Sequence, residues 1–124
     1  MAKTALVADD NDIIRRETCR LLLRETDCEV CEEAQHGLEA IEKAQQLHPD
    51  LIILDLSMPF MNGIDAARVL RARMPSVPII MFTSHADFLI EKLRSAGIAE
   101  VVSKSDISVL TQRARTLLHQ NAAC

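Results

Sequence analysis

The chain is predicted to fold as an α/β sandwich, a doubly wound parallel sheet of five strands with five helices on its faces, and three observations carry that prediction. Short apolar runs alternate with amphipathic stretches of helical period along the whole length. The run Leu51-Ile52-Ile53-Leu54 is continuous rather than alternating, as in a strand covered on both faces. Apolar runs also end abruptly on polar groups: Ala8 before Asp9-Asp10, Leu54 before Asp55, Phe82 before Thr83-Ser84, Val102 before Ser103-Lys104. Open parallel sheets bind ligands at the carboxyl ends of their strands, so these terminal residues are the candidate site.

Each element follows in order. Ala5–Ala8 is a strand, and Asn11 or Asp12 caps the next helix. In that helix Ile14, Thr18, Leu21 and Leu22 form the buried stripe, with Arg15, Arg16, Arg20 and Arg24 mostly off it. Cys28–Ala34 is a more polar strand, expected at the sheet edge. A helix over 37–47 buries Ala40, Ile41, Ala44 and Leu47 and stops at His48-Pro49. Leu51–Asp55 is the third strand, followed by Met58-Pro59 and Asn62-Gly63 turn signals.

Ile64, Ala67, Leu70 and Met74 stripe a third helix that Pro75 ends. Pro78 suits only the start of a strand, and Ile79–Phe82 follows it. Leu89, Ile90, Leu93 and Ala96 mark a fourth helix, with Gly97 as its cap. Ile98–Val102 is the fifth strand; Ser105 or Asp106 then caps a helix striped by Ile107, Leu110, Ala114 and Leu117. Right-handed crossovers leave few topologies. The flavodoxin-like order 2-1-3-4-5 sets strands 1 and 3 together at the switch point. Asp9-Asp10 would then stand beside Asp55, with Thr83 and Lys104 arriving from strands 4 and 5.

With 124 residues, 48% of them hydrophobic and 26% charged, a single domain over 1–124 with a full core is expected. A net charge of −4 argues against gripping nucleic acid unaided. Residues 1–62 carry 13 acids and 6 bases, and 63–124 carry 5 acids and 8 bases, which concentrates negative charge near the candidate site. No apolar run approaches the roughly 20 residues of a membrane span, and the segment before Ala8 is too short for a signal peptide. A cytoplasmic protein with reduced thiols is expected. Cys28-x-x-Cys31 lies in a strand, where an offset of three places the thiols on opposite faces. Cys19, Cys28, Cys31 and Cys124 are therefore read as structural, and His36, His48, His85 and His119 as solvated.

Three carboxylates brought together repel one another unless their pKa values rise or a cation intervenes. Asp9, Asp10, Asp55 and the backbone carbonyl of Ser57 are all hard oxygen donors, a set that suits Mg²⁺. An aspartate can itself be the nucleophile for a phosphoryl group, with a metal and a lysine ammonium meeting the charge on the oxygens. A haloacid-dehalogenase type of enzyme also uses such an aspartate, but needs a second acid two residues on, where this chain has Ser57.

Asp9-Asp10, Asp55 ahead of Met58-Pro59 and Asn62-Gly63, Thr83-Ser84 and Lys104 together resemble the receiver domain of bacterial two-component response regulators. The resemblance runs from Ala5 to about Leu118. The wording Asp55-Leu56-Ser57-Met58-Pro59 and Ala66-Ala67-Arg68 is closest to receivers that precede a helix-turn-helix DNA-binding domain. The resemblance implies that Asp55 accepts a phosphoryl group from a sensor histidine kinase in a Mg²⁺-dependent reaction. It implies that Asp10 binds the metal directly and Asp9 directly or through water, that Lys104 contacts Asp55 and its phosphate, and that Thr83 shifts as the switch. The helix near 89–96, the fifth strand and the last helix would form the output face. DNA would be reached only through an output domain outside this chain, and no membrane is involved. The chain would be a phosphoacceptor with self-catalysed transfer and dephosphorylation, not a turnover enzyme. Phe88, outside the stripe of its helix, would support a phosphorylation-dependent homodimer or partner contact, with an ordinary exposed residue or a ring folded over the space left at Val101 as the alternatives. Two positions depart from the family: Val101 stands where an aromatic is common, and Ser105 follows Lys104 where proline is frequent.

Overall fold

Side-chain parity along the strands divides the core into two layers, one on each face of the sheet. The computed structural model describes residues 2–84 and 94–122. Within them β1 (Lys3–Ala8), α1 (Asp12–Glu25), β2 (Cys28–Ala34), α2 (Gly37–Leu47), β3 (Leu51–Leu54) and α3 (Gly63–Arg73) follow in turn. β4 (Ile79–Thr83), β5 (Glu100–Ser103) and α4 (Ile107–Ala122) complete the described elements. All strand pairs are parallel, in the order β2-β1-β3-β4-β5. The predicted topology and the edge position of β2 are thus observed.

Leu6, Ala8, Ile52, Leu54, Ile79 and Met81 face α2 and α3, while Ala5, Val7, Leu51, Ile53, Ile80 and Phe82 face α1 and α4. Alternate residues of one strand enter opposite layers, which is why the central strands are apolar throughout. Of the predicted helix over Leu89–Ala96, Leu89, Ile90 and Leu93 lie outside the described residues, as do Phe88, His85 and Cys124, while Ala96 is buried as expected. Its predicted terminator is visible: Gly97 has φ +80°, a conformation that glycine adopts at no steric cost. No peptide bond among the described residues is cis, so Lys104–Ser105 is trans.

Four details differ from the sequence reading. Arg15, expected at a wet face, is 4% exposed. It lies against Asp12 and Glu33, whose carboxylates compensate the buried charge. In α4 the buried stripe is Leu110, Ala114 and Leu118, whereas Ile107 is exposed, because the helix starts from the Asp106 carbonyl and that phase turns i, i+4 and i+8 from Leu110 inward. His36 is not a free surface group: its Nδ1 accepts the Glu39 N–H at 3.2 Å and caps α2, while its ring meets the edge of Phe60. The cysteines differ most. Cys19 of α1 and Cys31 of β2 are joined in a disulfide, with Cα atoms 5.6 Å apart. Cys28 and Cys31 share one face because the β1–β2 register slips between Lys3 and Thr4, making Glu29 the extra residue of a bulge that resets the parity.

Candidate functional site

The site is built where the β1 and β3 ladders run one residue past the strands. The Asp55 N–H donates to Ala8 O at 2.9 Å, and the Asp9 N–H donates to Ala34 O at 3.0 Å. Both aspartates are thereby fixed at the carboxyl edge of the sheet, 2% and 6% exposed for Asp9 and Asp55, whereas Asp10 is exposed. Asp9 Oδ1 accepts the Asn11 N–H at 2.9 Å, and Asn11 Oδ1 in turn caps α1 by accepting from Ile13 and Ile14. The acidic loop and the start of α1 are one hydrogen-bonded unit.

Carboxylate oxygens of Asp9, Asp10 and Asp55 all lie within 4.8 Å of one another, a group able to hold a metal ion. Lys104, carried in by β5, places Nζ 2.8 Å from Asp9 Oδ2 and 3.3 Å from Asp55 Oδ2. Burial and the charge of Asp9 push the Asp55 carboxyl up to about 6, against the pull of Lys104. For Lys104 burial works the other way, yet its bonds to Asp9 and Asp55 prevail and hold the ammonium above its ordinary value. The donors are all hard oxygens with no thiolate or imidazole, which fits a hard divalent cation.

Thr83 is fully buried at the end of β4, and its carbonyl accepts the Lys104 N–H at 3.0 Å, so the two polar termini are tied together. Ser57 is exposed and, with Asp10, Met58, Pro59 and Asn62, borders an open cleft of about 580 Å³. The cleft gives a small ligand a way to the acidic group. Every site residue named from the sequence therefore lies at this one edge.

Two supporting residues escaped the sequence reading. Arg15 donates through Nη1 to Asp9 O at 2.9 Å and through Nε to Glu33 Oε1 at 2.8 Å. Nothing in the helical period marks it, since its partners come from the loop before α1 and from β2. Gly63, read only as half of a turn, packs against the end of β3: a Cβ there would lie 2.2 Å from Asp55 O. The Asn62-Gly63 pair was the available signal.

Residues 5–115 match the family model described as the response regulator receiver domain. The chain belongs to that family. Among curated proteins, the receiver is 34% identical over 99 residues to the transcriptional regulatory protein LnrK of Bacillus subtilis, covering 80% of this chain and 42% of LnrK. It is 40% identical to a protein-glutamate methylesterase/protein-glutamine glutaminase of Vibrio cholerae, over 97% of this chain and 33% of that protein. Among solved structures it is similar to a two-component response regulator of the LuxR family from an Aurantimonas species, with TM-score 0.88, 30% identity, and 97% and 87% of the two chains covered. The receiver thus spans less than half the length of these curated relatives.

One expectation needs correcting. The chain was expected to be no enzyme, but the Vibrio cholerae relative is named for an enzymatic activity. A receiver of this kind is a part of enzymes as well as of transcriptional regulators, so the site chemistry of this chain does not decide the class of the whole protein. No helix among the described residues is long and apolar enough to cross a membrane.

Proposed function

We propose that the receiver, read as one domain over 1–124, is a phosphoacceptor in which Asp55 takes a phosphoryl group from the phosphohistidine of a sensor histidine kinase. The observation that supports this most is the pairing of a buried carboxylate, Asp55, with Lys104 Nζ at 3.3 Å, beside two further carboxylates at an open cleft. An Asp55 carboxylate oxygen attacks phosphorus as the phosphorus–nitrogen bond breaks, and the electron pair returns to the imidazole. Lys104 faces the oxygens that carry the transferred charge, and the Thr83 hydroxyl donates to one of them. Asp9, Asp10, Asp55 and the Ser57 carbonyl would hold Mg²⁺, which offsets the repulsion between carboxylate and phosphate. Asp9 and Lys104 keep the acceptor desolvated and oriented before the donor arrives.

Phosphorylation adds about −1.5 to −2 charges at a place already acidic. Thr83 and Lys104 are drawn to it, and their strands β4 and β5 carry the change outward. The response would be a homodimer or a contact with an output domain that controls transcription, with DNA met only through that domain. The setting is cytoplasmic.

The test is intact mass spectrometry after treatment with acetyl phosphate. One phosphoryl adduct is expected with Mg²⁺ and none with chelator. Asp55→Asn should take up none; an adduct on that variant overturns the assignment. Asp10→Ala should lose Mg²⁺ affinity by calorimetry, while Lys104→Ala keeps it and loses phosphorylation or the response to it.

A further inference from the structure

The cysteines are the group the site chemistry leaves unused, and their placement gives them a way to act on it. Cys19 and Cys31 bond α1 to β2 across a sequence separation of 12. Their Cα distance of 5.6 Å is ordinary for a disulfide, so no backbone rearrangement is needed to close it. Arg15 and Glu33 bond the same two elements at 2.8 Å. On α1 one turn, about 6 Å, separates Arg15 from Cys19. On β2 two residues, about 6.6 Å, separate Cys31 from Glu33. The pairs are consecutive rungs of one ladder. The upper rung reaches the acidic loop, because Arg15 also holds Asp9 O at 2.9 Å.

We propose that Cys19 and Cys31 are a reversible oxidation site, exchanged with a low-molecular-weight thiol such as glutathione, whose state sets how tightly the Asp9–Asp10–Asp55 pocket holds a divalent cation. The inference rests on the reading of that pocket as a cation site. Disulfides of proteins in a reducing compartment are transient and redox-sensing rather than permanent. Access selects the sulfur attacked: Cys31 is half-buried, whereas Cys19 is 6% exposed. A glutathione thiolate attacks Cys31 Sγ, the Cys19–Cys31 bond breaks, and Cys19 leaves as a thiolate that takes up a proton. A second glutathione thiolate attacks the glutathione sulfur of the mixed disulfide, releasing Cys31 thiolate and glutathione disulfide. The protein gains two electrons and two protons, and glutathione disulfide supplies the reverse reaction. Cys28 stays out of the exchange, since burial pushes its thiol up and keeps it protonated.

Closing the lower rung fixes the distance between α1 and β2 and so fixes Arg15 and Glu33 relative to each other. Outer-shell supports of this type change metal affinity by an order of magnitude, so the oxidised chain should bind Mg²⁺ about fivefold or more tightly than the reduced one. The experiment equilibrates the full chain in glutathione redox buffers. Non-reducing peptide mass spectrometry reads the Cys19–Cys31 link, and calorimetry reads Mg²⁺ affinity in both states. A link that opens and closes with the buffer, together with tighter Mg²⁺ binding when closed, is the expected result. Glu33→Gln should abolish the affinity difference while leaving the link intact. A link that never forms, a link that reduced glutathione never opens, or equal affinities in the two states overturns the proposal. If neither state binds Mg²⁺, the cation reading has failed instead. Amide exchange at Asn11 and Ile13 then tests the coupling alone, and rates equal in both states overturn it.

Discussion

The two faces of the sheet are held by different physics. Against α2 and α3 the layer is apolar and rich in alanine: Ala8, Ala34, Ala40, Ala44, Ala66 and Ala67, all at most 1% exposed, pack beside Leu6, Ile52, Leu54, Ile79 and Met81. Gly37 and Gly63 let backbones touch there, and a Cβ on Gly37 would lie 2.4 Å from Met61 O. Against α1 and α4 the apolar layer is joined by more directional contacts than on the other face, where Lys43 of α2 donates to Glu33 O. Arg15 bonds Glu33, Cys19 bonds Cys31, Lys3 Nζ donates to Leu118 O at 2.9 Å, and Arg115 donates to Glu25 O at 2.7 Å. Close packing responds to volume and to little else. Ion pairs, disulfides and charge-assisted bonds also respond to salt, pH and redox state. The acidic site sits between a rigid wall and an adjustable one.

The largest effect should come from disturbing the rigid wall. Gly63→Ala sets a Cβ 2.2 Å from Asp55 O and 2.9 Å from Leu56 Cα, both backbone atoms with no flexible end to give way. A loss of about 3 kcal/mol in urea unfolding is expected, unchanged by salt or reductant. A loss below about 1 kcal/mol would mean that this face yields more than close packing allows. On the other wall, Cys19→Ser should cost about 2–3 kcal/mol under oxidising conditions, through the lost loop constraint. That difference should vanish in dithiothreitol; persistence there would mean that Cys19 contributes packing rather than a bond.

Asp55 tests the pH response. A carboxyl raised from 3.8 to about 6 by folding is penalised when ionised. The penalty is absent below about pH 4, grows as pH rises through 4 to 6, and is complete above 6. Asp55→Asn should therefore be more stable than the parent by about 2 kcal/mol at pH 8 in chelator, with the gap closing towards pH 4. A gap independent of pH would remove burial and Asp9 as its cause. The smallest effect belongs to Arg115→Ala, whose exposed bond to Glu25 O should be worth about 0.5 kcal/mol and shrink in 1 M salt. Equal losses at low and high salt would place that contact with packing instead.

The sequence carried the fold and the site where signals were local. Strand ends at Asp9, Asp55, Thr83 and Lys104 are legible because an apolar run stops there, and the switch-point rule brings them together. Asn11 and Gly97 are legible because helix ends demand particular residues, whereas Asn62, read as a turn signal, proves to be the cap of α3. Arg15 was lost because a buried arginine in a helix looks like any other until its partners on β2 and the preceding loop are known. The cysteines were lost because strand parity assumes an unbroken register. One extra residue at Glu29 inverts that parity, and nothing in Cys28-Glu29-Val30-Cys31 announces a bulge. In α4 the buried Leu110 and Ala114 and the half-buried Leu117 are legible, whereas Ile107 proves exposed and Leu118 buried, because hydrophobicity alone cannot choose between adjacent apolar residues at a helix end.

The contact between Gly63 and Asp55 also has a mechanical meaning. Gly63 N donates to Leu56 O at 2.8 Å, and the space of its missing side chain is filled by the Asp55 carbonyl. The first turn of α3 is thus a backstop set directly behind the Asp55 backbone. On the proposed reading, a bulky anion attached in front of Asp55 would find little compliance in that direction. Displacement would then travel sideways, along the bond from Lys104 N to Thr83 O and into the paired ends of β4 and β5. If Asp55 is the acceptor proposed above, the glycine that opens α3 would make it a one-way latch, stiff behind and yielding to the side.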